Sequence, residues 1–95
     1  ELTGLRFENT QTHQELSFSV DACFVAIGQV PNNDRFSNLV DLDDKGYIIS
    51  SDTTTKTEGL YVAGDCRTKQ VRQLTTAVGD GAIAAMNAVN YINKK

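Results

Sequence analysis

Apolar and polar residues alternate twice near the start of the chain. Leu5 and Phe7, then Leu16, Phe18 and Val20, put apolar side chains on one face of two short strands, with turn-forming residues from Asn9 to His13 between them. The pattern predicts an antiparallel hairpin. Asp21 then leads into Ala22-Cys23-Phe24-Val25-Ala26-Ile27, an unbroken apolar run closing at Gly28, which predicts a strand buried on both faces. Gly28 to Asn33 reads as a tight connector, because Pro31 cannot donate to a ladder and Gly28 tolerates unusual backbone angles. It is the best place for a boundary between two parts of a larger protein.

Further on, Asp43-Asp44-Lys45-Gly46 predicts a hairpin turn joining Val40-Asp41-Leu42 to Tyr47-Ile48-Ile49. Gly59-Leu60-Tyr61-Val62-Ala63-Gly64-Asp65 has the form of a central parallel strand that ends in a carboxylate. From Val71 to Ile92 the period becomes helical, with Leu74, Val78, Ala82, Ala85, Val89 and Ile92 as the expected buried stripe. Gly79 and Gly81 each weaken such a helix by about 1 kcal/mol relative to Ala, so they call for a packing or ligand reason. The elements predict an α/β fold, α+β if taken alone, with short antiparallel strands, one central strand ending in Gly-Asp and a long carboxy-terminal helix.

Composition narrows the function. The 95 residues, 40% hydrophobic and 22% charged, suit one small soluble domain. The apolar runs fall far short of the roughly 20 residues of a membrane-spanning helix, and the expected setting is the cytoplasm. The chain opens on Glu1-Leu2 without Met, as a piece of something longer would. Its net charge of −3 is uneven: residues 1–65 carry four basic and eleven acidic side chains, whereas residues 66–95 carry five basic and one acidic. Arg67, Lys69 and Arg72 are too few for a nucleic-acid footprint but suit an anionic small molecule, with scattered solvated charge as the alternative. Cys23 and Cys66 form no Cys-x-x-Cys pair and read as free thiols. His13, the only histidine, lies in a polar turn and reads as solvated, and Asp41, Asp43 and Asp44 do not spell a calcium loop. No metal ligand set and no catalytic triad is visible.

Two features carry candidate chemistry. Ligands of open α/β sheets bind beyond the carboxyl ends of strands, which places Asp65 at a site, with Gly64 admitting a ligand close to the backbone. A carboxylate there can accept a hydroxyl hydrogen bond from a sugar or polyol; alternatively, Asp65 caps a turn or pairs with Arg67. The second feature is the start of the last helix, where N–H groups around Arg72, Gln73 and Leu74 would stabilise an anionic or electron-rich group. A helix packed on a sheet without any ligand is the competing reading.

Four motifs, in order, make the chain resemble a known family. They are Cys23-Phe-Val-Ala-Ile-Gly-Gln-Val-Pro-Asn32, Asp44-Lys-Gly-Tyr-Ile48, Thr57-Glu-Gly-Leu-Tyr-Val-Ala-Gly-Asp65 and Arg72-Gln-Leu-Thr-Thr-Ala-Val-Gly-Asp-Gly-Ala-Ile-Ala-Ala85. Together they resemble the carboxy-terminal part of low-molecular-weight bacterial thioredoxin reductases, over essentially the whole chain. The resemblance implies a partial FAD/NAD(P)-binding flavoprotein fold. Residues 1–27 would end an NADPH-binding domain, and residues 28–95 would form the carboxy-terminal part of an FAD-binding domain. It further implies that Asp65, beside Gly64, bonds the ribityl chain of FAD, that the Gln73 and Leu74 N–H groups face the pyrimidine edge of the flavin, and that Arg72 lies near the flavin or the incoming nicotinamide.

By the same resemblance the parent protein would pass electrons from NADPH through FAD to a disulfide, with thioredoxin or a thioredoxin-like protein as partner. A related flavoprotein, such as a peroxiredoxin-reducing enzyme or a ferredoxin–NADP reductase, is an alternative, and a free-standing, non-catalytic binding module is the reading from a different class. The family's two glycine fingerprints and its Cys-x-x-Cys do not occur in these residues, and Cys23 and Cys66 cannot replace that dithiol. The expectation is therefore an inactive fragment that binds FAD weakly or not at all. Unpaired strand edges predict self-association, as a homodimer or through swapped strands.

Overall fold

The computed structural model describes residues 1–94. β1 (Gly4–Glu8) and β2 (Glu15–Ser19) pair antiparallel, with Leu5 opposite Phe18 and Phe7 opposite Leu16. The predicted alternation thus sets the register. Phe7 and Phe18 meet edge to face at 5.7 Å, a geometry worth about 0.5–1.5 kcal/mol beyond the area it buries. Asn9 organises the turn, its Oδ1 accepting from the N–H groups of Gln11 and Thr12 at 2.9 and 3.1 Å. His13 takes a left-handed backbone there and is not merely solvated: its Nδ1 lies 3.0 Å from Glu8 Oε1.

The strand predicted over Ala22 to Ile27 does not form. Phe24 is 94% exposed, and Val25, Ile27 and Val30 are open with it. A strand is held by a ladder, and no described residue offers this run a partner. The segment keeps an apolar composition without an apolar environment.

The body of the chain begins at Asn33 and a short 3-10 turn over Asp34–Phe36. Its core is small: Val40, Ile48 and Val62, with Leu42, Leu60 and Cys66 packed against them. The turn at Asp43 forms as expected, with Asp43 Oδ1 accepting from Lys45 and Tyr47 N–H at 2.9 Å and Gly46 turning at φ +91°. Single bridges stand where longer ladders were expected. Leu42 meets Ile48 and Thr54 meets Tyr61 antiparallel, and Ile48 meets Arg67 parallel. Val62 adds an N–H bond to Thr53 O at 2.8 Å, so the Leu60–Ala63 run enters the core edge by edge rather than as a full strand.

α1 (Leu74–Asn93) is the long helix, but it buries a different stripe from the one predicted. Leu74, Val78, Val89 and Ile92 face outwards, whereas Ala77, Asp80, Ala84, Asn87 and Tyr91 face the body. The reason is polar. Asn87 Nδ2 donates to Oγ1 of the fully buried Thr53 at 2.9 Å, and Asp80 is buried about two turns earlier on the same face. Gly79 and Gly81 have open space where a side chain would stand, so nothing in this chain packs against them. The radius of gyration, 19.6 Å, exceeds the about 12 Å of a compact chain this long, because the buried apolar residues all lie between positions 40 and 62.

These environments make unequal demands on single substitutions. Ile48→Ala should cost about 2–4 kcal/mol in urea unfolding, the price of a cavity in a three-residue core. Phe24→Ser should stay within about 0.5 kcal/mol, as expected of a solvated position. Equal costs would show that the 22–27 segment is packed after all.

Candidate functional site

The loop from Gly64 to Gln73 links the last core residue, Val62, to α1. Gly64 turns it at φ +88°, a left-handed conformation that favours glycine, and its missing side chain faces Ala77 of the helix. The Gly64 N–H donates to Asp80 Oδ2 at 2.9 Å. Asp65, next in the chain, is exposed, and its carboxylate takes no hydrogen bond or ion pair among the described residues. Of the two alternatives, pairing with Arg67 is not seen.

Arg67 points elsewhere. Its Nε and Nη2 grip Asp80 at 2.7 and 2.9 Å, and Lys69 Nζ reaches the same carboxylate at 2.9 Å. All three side chains are about nine-tenths buried. Arg72 secures the other side of the loop, with Nε donating to Asp65 O at 3.0 Å and Nη2 to Arg67 O at 2.9 Å. Its guanidinium lies 3.8 Å over the Tyr47 ring, a cation–π contact. The basic loop expected to hold an anionic small molecule therefore turns its three cations inwards, onto the Asp80 carboxylate, three backbone carbonyls and a ring, with Asp52 Oδ1 3.7 Å from Arg67.

Sequence reading passed over Asp80 as one more helical residue. It is, however, the single acidic residue of the basic stretch 66–95, and that was the signal available. Hydrogen bonds from Arg67 and then Lys69 hold its carboxyl far below the ordinary carboxylate range, against the opposing effect of burial, with the Gly64 N–H helping. The bond to Asp80 likewise raises Arg67.

Asp65 faces a cavity of about 350 Å³ lined by Gln29, Val30, Pro31, Tyr47, Asp65 and Cys66. Three of the sequence motifs meet there. Asn33 ties them together, its Nδ2 donating to Gly46 O and Cys66 O, each at 2.9 Å. A second cavity, about 250 Å³, is lined by residues including the core's Val40, Ile48 and Val62, and Asp65 is not on it. Gln73 caps α1, and its own N–H is taken by Thr76 Oγ1 at 3.0 Å. Leu74, 83% exposed, keeps an N–H without a partner among the described residues. Cys66 is half-buried with Sγ 3.5 Å from Ala63 O, Cys23 is exposed, and both are free thiols. Among the described residues there is no cluster suited to a metal ion and no helix long and apolar enough to cross a membrane.

The loop leaves an unpartnered carboxylate, Asp65, on an open cavity, with the Gly64 turn before it and the start of α1 after it. Known proteins resemble this chain along most of its length. The family model for pyridine nucleotide-disulphide oxidoreductases matches residues 2–81. The thioredoxin reductase of Bacillus subtilis is 41% identical over 87 residues, covering 90% of this chain and 28% of that protein. A bifunctional thioredoxin reductase/thioredoxin of Mycobacterium leprae is 40% identical, covering 96% of this chain and 20% of that protein. The crystal structure of Lactococcus lactis thioredoxin reductase superposes with a TM-score of 0.72 at 32% identity, over 98% of this chain and 31% of that one. The chain thus spans less than a third of the length of these relatives.

The Asp80 cluster has a definite pH signature. An unfolded Asp titrates near about 3.9, and the folded value lies lower, so the stability Asp80 contributes is complete above that point and is lost as pH falls below it. Asp80→Asn should cost about 3 kcal/mol at neutral pH, because Arg67 and Lys69 are left buried without their anion. It should also flatten the acid limb of the urea midpoint plotted against pH. An unchanged limb would show that the acid sensitivity arises at other carboxylates.

Proposed function

The chain belongs to the pyridine nucleotide-disulphide oxidoreductase family, and on that premise we propose that it forms the carboxy-terminal wall of the flavin site in an NADPH-dependent thioredoxin-disulfide reductase. One observation carries this reading: the unpartnered Asp65 carboxylate stands at the cavity where the Gly28–Asn33 connector, Tyr47 and the Gly64 turn converge. Residues 1–27 would end the NADPH-binding domain and residues 28–95 would close the FAD-binding domain.

The residues present suit FAD. Asp65 would accept a ribityl hydroxyl, from a position set by the left-handed turn at Gly64 that precedes it. The free N–H of Leu74, at a helix start set by Gln73, would face the electron-rich pyrimidine edge. Arg72 borders the site as a strut, since its donors already serve Asp65 O and Arg67 O. Bound FAD would supply the hydride and electron chemistry between NADPH and a disulfide. Thioredoxin or a thioredoxin-like protein is the proposed partner, supported by a relative in which the two names are joined in one polypeptide.

The flavoprotein containing these residues should lose about 10-fold or more in FAD affinity on Asp65→Asn, the worth of a hydrogen bond to a charged group, measured by flavin fluorescence titration. The 95 residues alone should hold FAD weakly or not at all and oxidise no NADPH. Unchanged affinity in the variant would overturn the assignment, and stoichiometric FAD on the isolated chain would overturn the expectation of weak binding. We also propose that the isolated chain self-associates, since Phe24, Val25 and Ile27 and the Leu74–Ile92 stripe leave a broad apolar surface open. Light scattering should give more than a monomer mass at high concentration, and a strict monomer would refute it.

A further inference from the structure

Asp65 has no contact that fixes its own carboxylate, yet it has to be presented to a ligand in one place. What fixes it is its backbone. One peptide earlier, the Gly64 N–H donates to Asp80 Oδ2 at 2.9 Å, and the Asp65 carbonyl accepts from Arg72 Nε at 3.0 Å. Asp80 is the deeper of the two anchors: it is 6% exposed, projects from the second turn of α1, and also binds Arg67 and Lys69 of the same loop. Asp80 therefore joins the Gly64–Lys69 part of the loop to the helix, while Thr76 Oγ1 holds the loop's end at Val71 and Gln73. The helix start at Gln73 and Leu74 and the carboxylate at Asp65, the two halves of the candidate site, hold their spacing through these contacts.

We propose that Asp80 is a positioning residue of the cofactor site, which touches no ligand itself and presents Asp65 by holding the Gly64 N–H and the Arg67–Lys69 loop onto α1. The inference rests on the flavin reading of Asp65. A carboxylate is suited to the task because it accepts along several directions at once, and here one oxygen serves Gly64, Arg67 and Lys69 while the other serves Arg67. An amide would lose part of that capacity and would turn a donor towards a cation.

The test is a double-mutant cycle in the flavin-loaded protein that contains these residues, using Asp65→Asn, Asp80→Asn and both together. FAD dissociation constants and the visible flavin spectrum are read alongside thermal unfolding. Asp80→Asn alone should weaken FAD by about 10-fold, no more than Asp65→Asn does, because the most it can forfeit is the Asp65 bond. In the Asp65→Asn background, Asp80→Asn should change FAD affinity less than about 2-fold, although it still lowers the unfolding temperature. If the two losses multiply, Asp80 acts on the fold in general and the proposal fails. If Asp65→Asn has no effect while Asp80→Asn does, the flavin reading of Asp65 fails first.

Should Asp80→Asn not fold, Lys69→Met removes one of the donors and leaves the Arg67 grip intact. It should weaken FAD in the same direction by a smaller factor, and that loss should vanish in the Asp65→Asn background. No loss with Lys69→Met in a folded protein, or a loss that persists in that background, would count against the proposal.

Discussion

A buried carboxylate that accepts two bonds from one guanidinium, one from an ammonium and one from a backbone amide cannot be exchanged for an apolar group without leaving two cations stranded. In this chain that constraint outweighs hydrophobic packing, because the apolar core has only three buried members among the described residues. The loop from Gly64 to Arg72 has no regular secondary structure of its own, and its path is set by where its donors find oxygen. Arg67 and Lys69 find it on Asp80, and Arg72 finds it on the loop's carbonyls. Asp65 is left over, facing a cavity, and that is the structural basis for assigning it to a ligand.

Much of this was legible in the sequence. The alternation at Leu5, Phe7, Leu16 and Phe18 gave the hairpin and its register, Asp43 to Gly46 gave the turn, and the spacing after Val71 gave the helix to within three residues of its start. The motif order gave the family, which the match over residues 2–81 establishes. Local patterns succeed where the partner is local: a hairpin carries its own ladder, and an Asx turn carries its own acceptor.

The failures have one cause. Ala22 to Ile27 was read as a buried strand from its composition, but burial depends on neighbours, and none of the described residues lies beside it. The apolar stripe of α1 was read as the inner face, yet the face that finds partners in this chain is the one bearing Asp80 and Asn87. Both apolar surfaces, with the empty space over Gly79 and Gly81, suit packing against further protein. Lys69 and Arg67 were assigned to an anionic small molecule for the complementary reason, since a cation looks free for an outside anion until its buried one, 11 and 13 residues away, is known.

The central claim is that Asp80 presents Asp65 to a flavin. It is tested most directly by a crystal structure of the FAD-loaded protein containing these residues. The account predicts a ribityl hydroxyl within about 3 Å of the Asp65 carboxylate, with the Gly64 N–H still donating to Asp80. A flavin seated elsewhere, or Asp65 turned onto Arg67 with the Asp80 cluster opened, would contradict it.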